Sequence, residues 1–207
     1  LMKYTITTGD CADISTDCVV VGVYSGNKLT PSAIAVDRAT GGLLKRLAKR
    51  GDIEGASGHT LLVPCENDLR ATRLLVVGLG DVTQLDADEF LAVVRSVATA
   101  LQRTGATNAA VTLAEAKVKQ RNLGDRIRII VEAFAISRYR FDRLKSKKSK
   151  STNRTLSKIV LPVQEKSSVA VTRRSVREGE GVSSGVQLAR DLANLPGNIC
   201  TPSYLAE

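Results

Sequence analysis

Cys18-Val19-Val20-Val21-Gly22-Val23 is the stretch that most narrows what this chain can fold into. It is continuously apolar, without the alternation of a half-exposed strand. A strand of this kind needs cover on both faces, which α/β sheets provide. Further strand-like runs are Lys3–Thr7, Thr60–Pro64, Arg73–Gly78, Asn108–Leu113 and Lys158–Val163. Helical spacing is read over Pro31–Arg38, over Leu43, Leu44 and Leu47 as far as Gly51, and over Asp86–Arg103. It returns over Asp125–Phe141 and Ser167–Leu195, the last weakened around Gly179-Glu180-Gly181. Strands alternating with helices predict a three-layer α/β fold with helices on both faces. The eight residues from Cys65 to Thr72 suit a hairpin, so the sheet should be mixed. Hydrophobic residues make up 43% but aromatics only 3%, so the core must be Val, Leu, Ile and Ala.

The net charge of +9 is unevenly placed. Arg138 to Arg174 holds twelve Lys/Arg against two Asp/Glu, a local excess of +10. Within it Arg143, Lys145, Lys147, Lys148, Lys150 and Arg154 lie in a polar run without periodicity. That run reads first as a solvated loop. As a DNA contact it would neutralise phosphates without reading bases. No apolar run approaches the roughly 18 residues of a spanning helix, and no membrane partner is expected. Cys11, Cys18, Cys65 and Cys200 form no CxxC pair, and with one histidine the expectation is buried, reduced thiols and no metal site. His59 is expected in a loop or at a strand edge.

Val76-Val77-Gly78-Leu79-Gly80-Asp81 follows a strand, as a dinucleotide fingerprint would. Thr83 stands where the third glycine belongs, and the next helix starts too late to face a phosphate. A plain strand-to-helix turn is the better reading. Asp125/Arg128 and Asp142/Lys145 have the spacing of surface i,i+3 pairs rather than of ligands.

Near the C-terminus, Val182, Val186, Ala189, Leu192 and Ala193 form an apolar stripe, stopped by Asn194-Leu195-Pro196-Gly197. Thr201-Pro202 then offers an N-cap and a first-turn proline for a second helix at Ser203-Tyr204-Leu205. A domain rarely stops inside a helix it has just capped, so the chain is expected to be part of something larger. Ala189-Arg190-Asp191-Leu192-x-Asn194-Leu195-Pro196-x-Asn198-Ile199-Cys200-Thr201-Pro202-x-Tyr204-Leu205-Ala206 resembles the junction segment of cytosol (leucyl) aminopeptidases. Gly197 stands where proline is common in that family.

This resemblance implies a macrodomain-like N-terminal domain over 1–165, a linker helix over 166–195 and the start of a catalytic domain at 196–207. It implies a cytoplasmic, hexameric parent that removes N-terminal residues from peptides with two divalent ions, zinc or manganese. The family's Gly-Lys-Gly-x-x-Phe-Asp-x-Gly-Gly and Asn-Thr-Asp-Ala-Glu-Gly-Arg segments do not occur here. No catalytic or metal-binding residue can therefore be named, and the chain alone is expected to be inactive, its role being assembly and substrate access. Thr8-Gly9-Asp10 also resembles the opening of ADP-ribose-binding macrodomains, where the matching aspartate, Asp10, contacts adenine. The Asn-Ala-Asn that should follow is Gly22-Val23-Tyr24, so a shared fold without the shared ligand is expected.

Overall fold

The computed structural model describes residues 2–65, 69–142, 144 and 155–206. Among the described residues seven strands are present: β1 (Lys3–Thr8), β2 (Cys18–Tyr24), β3 (Lys28–Leu29), β4 (Thr60–Pro64), β5 (Arg73–Gly78), β6 (Asn108–Val111) and β7 (Lys158–Val163). The helices are α1 (Pro31–Ala39), α2 (Leu43–Arg50), α3 (Ala87–Gln102), α4 (Leu123–Arg138), α5 (Ser168–Asn194) and α6 (Pro202–Ala206). The sheet order is β1-β7-β6-β2-β5-β4, with β3 paired to β2. All neighbours along this path are parallel except β4 and β5, the expected hairpin, in which Thr60 faces Val77 and Pro64 faces Arg73. Proline is tolerated there because β4 is an edge strand.

Every residue of β2 is buried. Its side chains alternate between two cores, as the two-residue period of a strand requires. Cys18, Val20 and Tyr24 join a cluster with Phe90, Val94 and Leu101 of α3 and Ile127, Ile130 and Phe134 of α4. Val19, Val21 and Val23 join a second cluster with Ala33 and Val36 of α1 and Leu44 of α2. The layers are therefore α1 and α2, the sheet, and α3 to α5.

Several boundaries differ from the sequence reading, each for a local reason. α4 starts two residues earlier than Asp125 because Asn122 and Asp125 form a capping box. It stops at Arg138 rather than Phe141, where Tyr139 turns extended and donates its hydroxyl to Asp191 Oδ1 at 2.8 Å. β6 ends at Val111, with Leu113 in a 3-10 turn. Asp86 lies just outside α3 as its N-cap, accepting from the Asp88 and Glu89 amides. α6 begins as expected, with the Thr201 hydroxyl accepting from the Tyr204 amide. β3 had no counterpart in the sequence reading.

α5 runs unbroken through Gly179-Glu180-Gly181, contrary to the expected weakening. Gly179 is buried against α4, and a Cβ there would lie 2.9 Å from Val131 Cβ. Close approach of the two helices is the reason for this glycine. Gly181 faces open space. Gly181→Ala should therefore raise stability by about 0.5–1 kcal/mol through helix propensity. Gly179→Ala should lower the Tm despite the same propensity gain, and thermal unfolding of the two variants should give opposite signs.

Asp17, at the amino end of β2, accepts from the Thr107 amide and hydroxyl, both at 2.7 Å. Burial raises its pKa, but these hydrogen bonds, with one from the Asn108 amide, outweigh it and the net shift is down from 3.8. The stability it supplies is present above the unfolded value and is lost as pH falls through the lower folded value. Asp17→Asn should flatten the acid limb of the stability curve below about pH 4, measured by urea unfolding at stepped pH.

Candidate functional site

Open α/β sheets bind ligands at the carboxyl ends of their parallel strands. In this fold that end gathers Gly9 after β1, Ser32 at the start of α1, Glu115 after β6 and Glu165 after β7. With Arg126 of α4 they line a cavity of about 320 Å³. That is near the lower limit for a small-molecule site.

The residues that would receive an anion there are already engaged. The Glu115 carboxylate accepts from the Ser32 amide at 3.0 Å and from the Ser32 hydroxyl at 2.8 Å. It fills the N-terminus of α1, where exposed amides and the helix dipole would otherwise favour a phosphate. Arg126 gives Nε to the Ala114 carbonyl and a terminal nitrogen to the Arg121 carbonyl. Asp10 is exposed and accepts from the Ala12 amide at 3.0 Å, capping a 3-10 turn at Cys11–Asp13. At this carboxyl-end cavity the groups that would hold an anion are thus taken up by the chain's own contacts.

The loop after β5 is equally occupied. The Leu79 amide bonds Val23 O and the Gly80 amide bonds Gly55 O. Asp81 takes the Thr83 amide and hydroxyl, and Asp86 takes the first amides of α3. No free amide nest faces a dinucleotide, in keeping with the missing third glycine.

His59 is exposed just before β4, and its carbonyl accepts from the Gly78 amide. Cys11, Cys18 and Cys65 are buried, and Cys200 is half-exposed. Burial pushes the thiols of Cys11 and Cys18 up to about 12, so neither is a thiolate nucleophile near neutrality. Among the described residues no group of three or more His, Cys, Asp or Glu is placed to hold a metal ion. No helix among them is long and apolar enough to cross a membrane. Asp125 and Arg128 form the expected pair at 3.2 Å, which Glu132 extends at 3.7 Å from Arg128. Arg143, Lys145, Lys147, Lys148, Lys150 and Arg154, the expected phosphate contacts, lie outside the described residues, as does Lys145 in its role as partner to Asp142.

Sequence reasoning missed the Ser32–Glu115 contact. The residues lie 83 positions apart, and only the adjacency of β2 and β6 joins them. The signal available was a serine directly after a helix-opening Thr30-Pro31.

Closing Glu115 onto α1 should be worth about 1–3 kcal/mol, since Glu115→Ala leaves the half-buried Ser32 donors unmet. Chemical denaturation measures that loss. Calorimetric titration of the unaltered chain with ADP-ribose should give no saturable heat.

Comparison with known proteins agrees with this geometry. The model of the cytosol aminopeptidase family N-terminal domain matches residues 20–148. A probable cytosol aminopeptidase of Alkalilimnicola ehrlichii is 39% identical over 206 residues, covering 100% of this chain and 41% of the relative. One from Methylobacillus flagellatus is 38% identical with the same coverage. Among solved structures, a tomato leucine aminopeptidase mutant superposes with a TM-score of 0.76 at 20% identity, over 100% of this chain and 41% of that one. The bottromycin maturation enzyme BotP gives 0.66 at 24% identity, over 92% and 35%. The chain thus spans about two fifths of the length of the relatives it matches. It belongs to the cytosol aminopeptidase family, as that family's N-terminal domain.

Proposed function

We propose that this chain is the non-catalytic N-terminal part of a cytoplasmic metallo-aminopeptidase, and that it serves assembly and substrate access rather than hydrolysis. The parent would remove N-terminal residues from peptides. Two divalent ions, zinc or manganese, would supply an activated water and polarise the scissile carbonyl. The donors of this chain do not fit such a centre, because no three candidate ligands converge among the described residues. Those ions would be held by the remaining three fifths of the parent. BotP, one of the similar structures, occurs as a manganese complex.

The observation that carries the assembly role is the outer face of α5. The apolar stripe read from the sequence is solvent-facing: Val182 is 49% exposed, Val186 37% and nearby Leu188 60%. Ala189 and Ala193 continue the stripe and are also exposed. At about 1.5 Å per residue, the 27 residues of α5 reach about 40 Å. Its buried positions, Thr172, Ser175, Val176, Gly179 and Ser183, all lie in the first two thirds. The last turns are held on one side by Tyr139, which meets Asp191 and Asn194, and leave the apolar residues of the other side uncovered. A linker helix that docks on a catalytic domain has this form, and in a hexameric parent it would help set where substrate enters.

Purified alone and supplied with manganese or zinc, the chain should hydrolyse leucine p-nitroanilide no faster than the metal blank. Turnover above that blank would overturn the non-catalytic assignment. Light scattering should show no stable hexamer, because the contacts that close the ring would belong to the missing part. Val182→Asp with Val186→Asp should change the Tm of the chain little, as exposed positions allow, while weakening its association with the catalytic part supplied separately.

A further inference from the structure

The groove that no function above uses lies on the other flank of α5. Glu180, Ser184, Gln187 and Asp191 recur at four, three and four residues and form one wall. They are two residues out of phase with Val182, Val186, Ala189 and Ala193, which places the two stripes about 200° apart around the helix. Covering the apolar stripe therefore leaves this groove open. Arg138 and Ala135 of α4 form the opposite wall, and Met2 and Tyr4 at the sheet edge form the floor. The cavity measures about 320 Å³.

Arg140 and Asp191 also line it, but two of its charges, Arg138 and Glu180, are opposed and unmatched. Among the described residues, Arg138 hydrogen-bonds only the Met2 sulfur, at 3.8 Å, Glu180 has no side-chain partner, and neither joins an ion pair. Asp191, by contrast, is held by the Tyr139 hydroxyl at 2.8 Å, and that hydroxyl accepts from Asn194 at 3.1 Å. Burial pushes the Tyr4 phenol up, Glu180 adds to the rise and Arg138 opposes it, so both charges bear on one hydroxyl at the groove floor. Ser183, on the same stretch of helix, is 6% exposed and its hydroxyl has no partner. A guanidinium and a carboxylate that face one small space without pairing with each other present a dipole. The ligand that matches it carries a carboxylate and an ammonium a few bonds apart, with an apolar group for Met2, Tyr4 and Ala135.

We propose that the groove between α4, α5 and β1 binds a free α-amino acid with an apolar side chain. The carboxylate lies against Arg138, the ammonium against Glu180, and the side chain on the Met2–Tyr4 floor. A free amino acid is also what the proposed peptidase would release. That link rests on the proposed function, whereas the groove and its test do not require any hydrolysis.

The test is titration of the chain with L-leucine, followed by calorimetry and by amide chemical shifts. Saturable binding is expected, with shifts confined to residues around Tyr4, Arg138 and Glu180. L-Leucinamide lacks the carboxylate and N-acetyl-L-leucine lacks the ammonium, so each should bind at least about tenfold more weakly, the loss of one charge-assisted contact. Arg138→Gln and Glu180→Gln should each weaken leucine to a similar degree. Unchanged melting temperatures would show that the fold is intact in both variants. Absence of saturable leucine binding overturns the proposal. So does binding that the two analogues match, or binding that survives in both charge variants.

Discussion

Burial of β2 on both faces is the constraint from which the rest follows. Seven consecutive buried residues require two separate cores, and each core requires its own helices. α1 and α2 fill one side and α3 to α5 fill the other. Placing β2 between β5 and β6 gives its backbone partners on both sides as well. No edge amides of this apolar strand are left over along its paired length, so the strand costs nothing in unmet hydrogen bonds. The alternation of Cys18 and Val20 against Val19 and Val21 decides which helix lies above and which below.

A sheet of this kind presents its strand ends as a natural ligand crevice, yet this chain closes the crevice internally. Glu115 occupies the anion position at α1, Arg126 is spent on carbonyls, and Asp10 caps its own turn. Fold and function separate here. The architecture shared with ligand-binding domains survives, while the chemistry of their site is replaced by protein–protein contacts within the domain. Among the described residues the outer surface of α5 is available to other molecules, apolar on one flank and bearing unmatched charge on the other.

The strands and helices were legible because β2, the β4–β5 hairpin and α3 each carry a strong local pattern. The limits of elements were less legible where distant residues decide them. α4 stops early because Tyr139 reaches Asp191, 52 residues away, which no local pattern encodes. The same holds for Gly179: a glycine inside a helical pattern reads as weakness until Val131 is placed against it. The stripe at Val182 and Val186 was legible as apolar, but periodicity does not show what, if anything, within the chain covers it. For the candidate site, Asp10 was legible as a residue, but Ser32–Glu115 and the placing of Arg138 and Glu180 on one groove depend wholly on topology.

The position of β1 bears on how such a chain comes to be folded. Among the described residues β1 is an edge strand paired with β7 alone, with Lys3 opposite Lys158 and Thr8 opposite Val163. On a ribosome, the central strands can assemble while β1 has nothing to pair with. Its partner emerges only after most of the domain has been made, and the α5 turns that pack on it come later still. Pairing of β1 with the sheet is thus a contact of long sequence separation, the kind that forms slowly, and α5 packs on the same strand.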